Sequence, residues 1–166
     1  MTVEIEQVGW GDPRAVALRD AMNAETGAMY AEFTARRTPE QVAAIDDALT
    51  VDPASIVYTV IATEDGVPLG HSALRPFGEQ LEVKKVFTTA DARGKGVAKA
   101  LLADLERYAL EHGVTSLVLQ TGPLQVPAIE LYLKLGYLPI PVFGKYDAIS
   151  GALCYHKALH DQKELS

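Results

Sequence analysis

The chain has little of several things, and each shortage removes a class of answer. A single cysteine, Cys154, in 166 residues excludes an internal disulfide framework and fits a reducing, cytoplasmic setting. No stretch approaches the roughly 20 apolar residues needed to cross a bilayer. The opening MTVEIEQVGWGDPR has no basic region followed by an apolar run, so neither a membrane span nor a secretory leader is expected. Basic residues are outnumbered, 15 Lys and Arg against 22 Asp and Glu, and the net charge of -7 repels a nucleic-acid backbone. Repeats and low-complexity tracts are missing as well. What remains, 48% hydrophobic and 22% charged residues, is the composition of an ordinary globular domain, and 1–166 reads as a single one.

The hydrophobic pattern changes period along the chain. TVEIEQV alternates apolar and polar residues, a strand signature. Pro13 to Phe33 turns helical, with Gly27 expected to break it in two. A second helix follows Thr38 as N-cap, with Pro39 in its first turn and Gln41 completing a capping box. SIVYTVIATEDGVPLGHSALRPF is β-branched and aromatic on both sides of Asp65-Gly66, a tight hairpin pair, and QLEVKKVFTT adds a third strand. A long amphipathic helix is expected over Gly94 to His112, stopped by Gly113. The apolar strand TSLVLQTG, a helix over Pro127 to Leu135 and a last strand in ALCYHKAL complete the order. The elements make an α+β fold, a mixed, mainly antiparallel sheet flanked by helices with a central βαβ crossover.

Glycine is placed where a helix would not choose it. Arg93-Gly94-Lys95-Gly96-Val97-Ala98 stands where the long helix begins, although glycine inside a helix costs about 1 kcal/mol relative to alanine. The Walker spacing is absent, and the dinucleotide fingerprint fails at Lys99. The first turn of a helix has free N–H groups and a partial positive charge. Glycines let an anion approach them, and Arg93, Lys95 and Lys99 add charge. For an isolated GKG, a tight turn with solvated basic residues is the better account.

Context favours the anion. Arg93, Gly96 and Ala98 form Arg-x-x-Gly-x-Gly/Ala after a strand, and QVPAIELYLKLGY carries Ala128, Leu131, Tyr132, Gly136 and Tyr137 at a second set of spacings. Together they resemble the two acyl-CoA motifs of the GNAT superfamily of N-acetyltransferases. The resemblance is detailed from about Leu81 to Tyr137, and Gln125 departs from it, standing where the family has asparagine. It implies a GNAT-like acyl-CoA N-acyltransferase fold and acetyl-CoA as co-substrate without a metal. Cofactor contacts are implied at Arg93, Gly94, Lys95, Gly96, Val97, Ala98, Gln125 and Ala128, with main-chain contacts at Val86, Phe87 and Thr88. A homodimer is compatible with the family; nucleic-acid and membrane partners are not expected.

Acetyl transfer to an amine needs a neutral nucleophile, a polarised carbonyl and a proton for the departing sulfur. By its position in the second motif, Tyr132 resembles the family's general acid; packing is the commoner fate of a tyrosine on a helix. Glu82 is the candidate base, directly or through water, and reads equally well as a solvated charge on a strand. Cys154, in an apolar strand, reads as a small buried residue. His156 and His160 lack a metal pattern. His71 is open between the acceptor pocket and the sheet. Tyr30, Glu32, Phe33, Phe143 and Tyr146 are candidates for an aromatic, acidic pocket for a small cationic amine. The expected activity is acetylation of a small amine by direct attack in a ternary complex; acetylation of a protein lysine or N-terminus, or a non-catalytic acyl-CoA sensor, are the alternatives.

Overall fold

The computed structural model describes residues 2–160. Seven strands form one sheet: β1 Glu4–Val8, β2 Tyr58–Glu64, β3 Val67–Phe77, β4 Gln80–Thr88, β5 Ser116–Thr121, β6 Leu138–Ile140 and β7 Leu153–Ala158. Their spatial order is β1-β2-β3-β4-β5-β7-β6. Every neighbouring pair is antiparallel except β4 and β5, which run parallel because helix α4, Val97–Glu111, crosses over between them. The remaining helices are α1 Pro13–Met29, α2 Ala31–Ala35, α3 Pro39–Leu49 and α5 Val126–Lys134.

Local chemistry explains most boundaries. Thr38 and Gln41 form the expected reciprocal capping box at α3. Asp65 and Gly66, at φ 50° and 78°, make the tight β2–β3 turn. Two expectations move. Gly27 does not break α1, because a helical glycine keeps its N–H and costs only about 1 kcal/mol; the helix runs on to Met29 and yields at Tyr30, φ -101°. The long helix starts at Val97, not Gly94. Gly94 and Gly96 precede it with φ 79° and 81°, so they are required by left-handed backbone rather than tolerated inside a helix. The short strand β6 was not expected from its pattern; Pro139 is accommodated there because β6 is an edge strand.

The sheet is covered on both faces. On one, Leu101, Leu102 and Leu105 of α4 pack on Val60, Leu74, Leu81, Leu117 and Leu119, with Tyr132 of α5 in the same cluster. Each such leucine contributes about 1.5–3 kcal/mol on burial. On the other face, Ala15 and Leu18 of α1 meet Ile61 and Phe87, and Ala48 of α3 meets Tyr146, Ala152 and Cys154. Gly70 sets the approach of α4. A Cβ there would lie 2.8 Å from both the Phe87 carbonyl oxygen and Val97 Cγ1, so only glycine lets the start of α4 lie this close to β3.

Candidate active site

Two features meet in the middle of the sheet. β4 and β5 pair only at Leu81–Leu117 and Glu82–Val118, after which their facing edges diverge and lose their ladder of hydrogen bonds. Past the end of β4 stands the amino end of α4. Its first intrahelical bond is Ala100 N–H to the Gly96 carbonyl at 3.1 Å, leaving the N–H groups of Val97, Ala98 and Lys99 outside the helical ladder. A Cβ on Gly94 or Gly96 would meet nothing within 4 Å, so the space before those N–H groups is open. An open, positively polarised helix end beside a split in the sheet fits a diphosphate with an extended arm. Arg93 is tied back, donating to Glu25 on α1 at 2.5 and 2.6 Å and to the Thr88 carbonyl at 3.3 Å. Val97 is buried, so only its backbone faces the site, while Lys95 is exposed and Ala98 half-buried. Val86 packs toward α4 and Phe87 toward α1; the side chains of β4 here are engaged in the two cores.

β4 also bulges. His71 pairs with Phe87 but Ala73 with Lys84, so β4 carries one extra residue, and Lys85 sits in it at φ 55°. For a lysine this left-handed conformation costs about 1–2 kcal/mol. A hydrogen-bond chain holds it. Arginine can only donate, so Arg19 Nη1 donates to His71 Nε2 at 2.9 Å, and Nδ1 carries the ring proton and donates to the Lys85 carbonyl at 2.8 Å. Burial pushes the His71 pKa down to about 4, keeping the ring neutral. His71 thus belongs to the sheet, as a strut under the bulge. Arg19 in turn donates to the Trp10 carbonyl at 2.6 Å and lies 3.6 Å over the Trp10 ring centroid.

Above the split, on the α1–α3 face, is a cavity of about 830 Å³. Trp10, Tyr30, Met22 and Ile45 supply apolar wall, and Arg19, Arg37, Lys84 and Lys85 supply charge, against Asp20 and Asp46. This corrects the expected acidic pocket: of the residues assigned to it, Tyr30 lines the cavity, whereas Glu32, Phe33, Phe143 and Tyr146 do not. Phe143 and Tyr146 pack in the cluster beneath α3. Tyr30 crosses to the far side, its hydroxyl accepting from Leu124 N–H at 3.1 Å. Gly122 makes room for it, since a Cβ there would fall 1.9 Å from that hydroxyl.

Glu82 is buried beside the cavity rather than in its wall. Arg75 Nε donates to its Oε1 at 2.7 Å, the Tyr146 hydroxyl donates to Oε2, and Lys84 Nζ lies 3.8 Å from Oε2 and 2.6 Å from the same hydroxyl. Burial pushes the Lys84 pKa down to about 8, with Glu82 opposing the shift. The carboxylate therefore reaches the cavity through Lys84. Tyr132 is buried on the other face of the sheet, in tilted and edge-on contact with Tyr155 and Tyr137. Burial alone pushes its phenol well above the ordinary tyrosine range. Gln125 precedes α5 and folds its Oε1 back onto Gly122 N–H at 3.0 Å; Ala128 is half-buried a turn later. Cys154 is buried in an apolar cluster that raises its thiol pKa. Among the described residues no group of His, Cys, Asp and Glu is placed to hold a metal ion, and no helix is long and apolar enough to cross a membrane.

Split sheet, bulged strand and open helix end together define an acyl-CoA N-acyltransferase fold, and the chain belongs to the Acetyltransferase (GNAT) family, whose model matches residues 18–137. N-acetyltransferase 8B of Rattus norvegicus is 36% identical over 59 residues, 36% of this chain and 27% of that protein. Matched stretches span between 27% and 58% of the length of such curated relatives. In fold, the chain superposes on a Klebsiella pneumoniae structure described as that of an acyl-CoA N-acyltransferase. The TM-score is 0.77 and the identity 24%, over 96% of this chain and 99% of that one. It also superposes on the PaiA N-acetyltransferase of Thermoplasma acidophilum, solved in complex with coenzyme A. There the TM-score is 0.68 and the identity 16%, over 95% of this chain and 99% of that one.

Proposed function

We propose that the chain transfers an acetyl group from acetyl-CoA to the amine of a small molecule, by direct attack within a ternary complex. The observation that carries the reading is the split between β4 and β5, with the open amino end of α4 past the end of β4 and, on the α1–α3 face, a cavity walled by Lys84, Lys85, Gln120 and Thr121 of those two strands. The diphosphate is assigned to the loop and helix start from Arg93 to Ala98, and the extended arm to the β5-facing backbone of Val86, Phe87 and Thr88, where Arg93 reaches the Thr88 carbonyl, together with Gln125 and Ala128. When bound, acetyl-CoA supplies the acetyl thioester. The chain's residues do the rest.

Lys84, with a pKa near 8, is partly neutral at working pH and takes a proton from the acceptor ammonium; an ordinary alkylamine sits near 10.4. Glu82 supports that base, stabilising the lysine's positive charge from 3.8 Å away. Tyr132 keeps its proton at Oη, because burial raises its pKa. A thiol near 8.5 is the stronger acid, so full proton transfer from Tyr132 is uphill, and the phenol acts by donating a hydrogen bond to the departing sulfur. The test is release of free thiol from acetyl-CoA across a panel of small amines, with calorimetry for coenzyme A in parallel. Thiol release that depends on the amine supports the reading. Tight coenzyme A binding with no thiol release from any amine or peptide would make the chain an acyl-CoA sensor instead.

A further inference from the structure

The bulge in β4 does something that regular strand geometry forbids. Successive residues of a strand point to opposite faces, yet Lys84 and Lys85 both line the cavity on the α1–α3 face. The extra residue is what turns Lys85 to that side, and its left-handed backbone is secured by the His71 bond to its carbonyl. The same His71 ring holds Arg19 from its other nitrogen, so one strut positions both cations.

Asp20 supports the Arg19 charge from a distance, but neither cation has an acidic partner in contact among the described residues. Among the described residues no carboxylate lies within ion-pair distance of Arg19 or Lys85, although Arg19 is 9% exposed and Lys85 half-buried. Lys84 at least has Tyr146 and Glu82. Asp20 and Asp46 also line the cavity, but both are solvent-exposed, and Arg37 adds a fourth cation. Burial first, and then repulsion from Arg19 and Arg75, lowers the affinity of Lys85 for its proton. Buried like charges without a counter-charge are retained where a ligand supplies it. Trp10, Met22, Val42, Ile45 and Leu49 give the wall an apolar stretch on the α1–α3 side, beside the polar Asn23, Thr26, Thr50 and Gln120.

Resting on the acetyltransferase reading of this cavity, we propose that its acceptor is an amino carboxylic acid with an apolar body, an α-amino acid or its close analogue, whose carboxylate is held by Arg19 and Lys85. The amine then faces Lys84, one residue along β4, and the apolar side chain lies against Trp10 and Ile45. Arg19 keeps unused N–H donors after serving His71 and Trp10, and Lys85 keeps all of its own. Polyamines and other acceptors with a second positive charge are disfavoured by the same groups.

The experiment measures thiol release for each common amino acid against its own amide, which keeps the amine and removes the negative charge. The expected result is at least a tenfold higher kcat/KM for apolar amino acids over their amides. The amides have the more easily deprotonated amine, so the preference opposes intrinsic reactivity. Lys85→Gln removes the preference, and Lys85→Arg restores it. A binding arm needs no turnover: with coenzyme A saturating, N-acetylphenylalanine and N-acetylleucine bind the wild type at least tenfold more tightly than their amides, and Lys85→Gln binds acid and amide alike. Amines acetylated without regard to the carboxylate would overturn the proposal and leave the acetyltransferase reading standing. Acid-selective binding without thiol release from any amine would overturn the acetyltransferase reading, and with it the acceptor role, and leave only a carboxylate-binding site. Phosphoethanolamine outcompeting every amino acid would replace the carboxylate with a phosphate and also overturn it.

Discussion

Replacing Glu82 by glutamine removes the one carboxylate in the buried cluster of Arg75, Lys84 and Tyr146. Two unit charges 4 Å apart attract by about 4 kcal/mol at the effective dielectric that suits protein sites, and taking one partner from a buried pair costs about 3–5 kcal/mol. Glutamine still accepts from Arg75 Nε, which donates to Oε1 at 2.7 Å in the native chain, so the lower end applies. For a chain of this size about 3 kcal/mol lowers Tm by roughly 10 °C, readable by calorimetry or circular dichroism. Catalysis carries a separate signature. With Glu82 gone, Lys84 loses the charge that supports its protonated form, and its pKa moves further below 8. Lys84 remains but is a weaker base, so turnover falls by less than the roughly 100-fold or more that losing a general base outright costs. That deficit shrinks as pH rises toward 9.5, because the acceptor amine then deprotonates unaided. A variant as stable as wild type would refute the charge accounting; a deficit constant from pH 7 to 9.5 would refute the support of Glu82 for Lys84 as base.

Tyr132→Phe lowers kcat by about ten- to a hundredfold with coenzyme A affinity nearly unchanged, since it removes only a hydrogen-bond donor to the departing sulfur; equal turnover in steady-state assays removes Tyr132 from that role. Gly96→Glu abolishes coenzyme A binding in calorimetry, because it sets a side chain and a negative charge before the α4 N–H groups at φ 81°, where strain adds about 1–2 kcal/mol. Unchanged affinity would count against the diphosphate site. His71 has a folded pKa depressed from 6.5 to about 4, so between those values the unfolded chain binds the extra proton and stability falls as pH falls, by about 3 kcal/mol in all. Denaturant unfolding from pH 7 to 4 shows this slope reduced in His71→Gln, and identical slopes would contradict the neutral, doubly bonded ring.

Much of the architecture was legible because it rests on neighbours in the chain. Thr38 and Gln41 cap α3 within one turn, Asp65-Gly66 closes a hairpin over adjacent residues, and Gly94 and Gly96 take a backbone shape that few other residues reach without strain. Those glycines also marked the anion end of α4, although the helix begins just after them. Gly27 misled because an internal glycine weakens a helix without ending it. The pattern of β6 was too short to stand out; it is a strand by virtue of β7 beside it.

The acceptor site was another matter. KK at positions 84 and 85 reads in any alternating strand as one lysine on each face, and only the pairing of β3 with β4 reveals the inserted residue that puts both on one side. The partners of Glu82 come from β3 and from the turn Gly144–Ala148, and the strut under Lys85 links α1 to β3. Charge in a cavity is a sum over residues far apart in the chain, set by burial and register, and Glu32, the acidic candidate, lies outside a cavity whose wall carries Arg19, Arg37, Lys84 and Lys85. Residue order dictated the open helix end proposed to receive an anion, since that depends on local backbone conformation. Which second molecule fits beside it was decided by the packing of α1 and α3 over a bulged strand, since only long-range contacts bring those groups together.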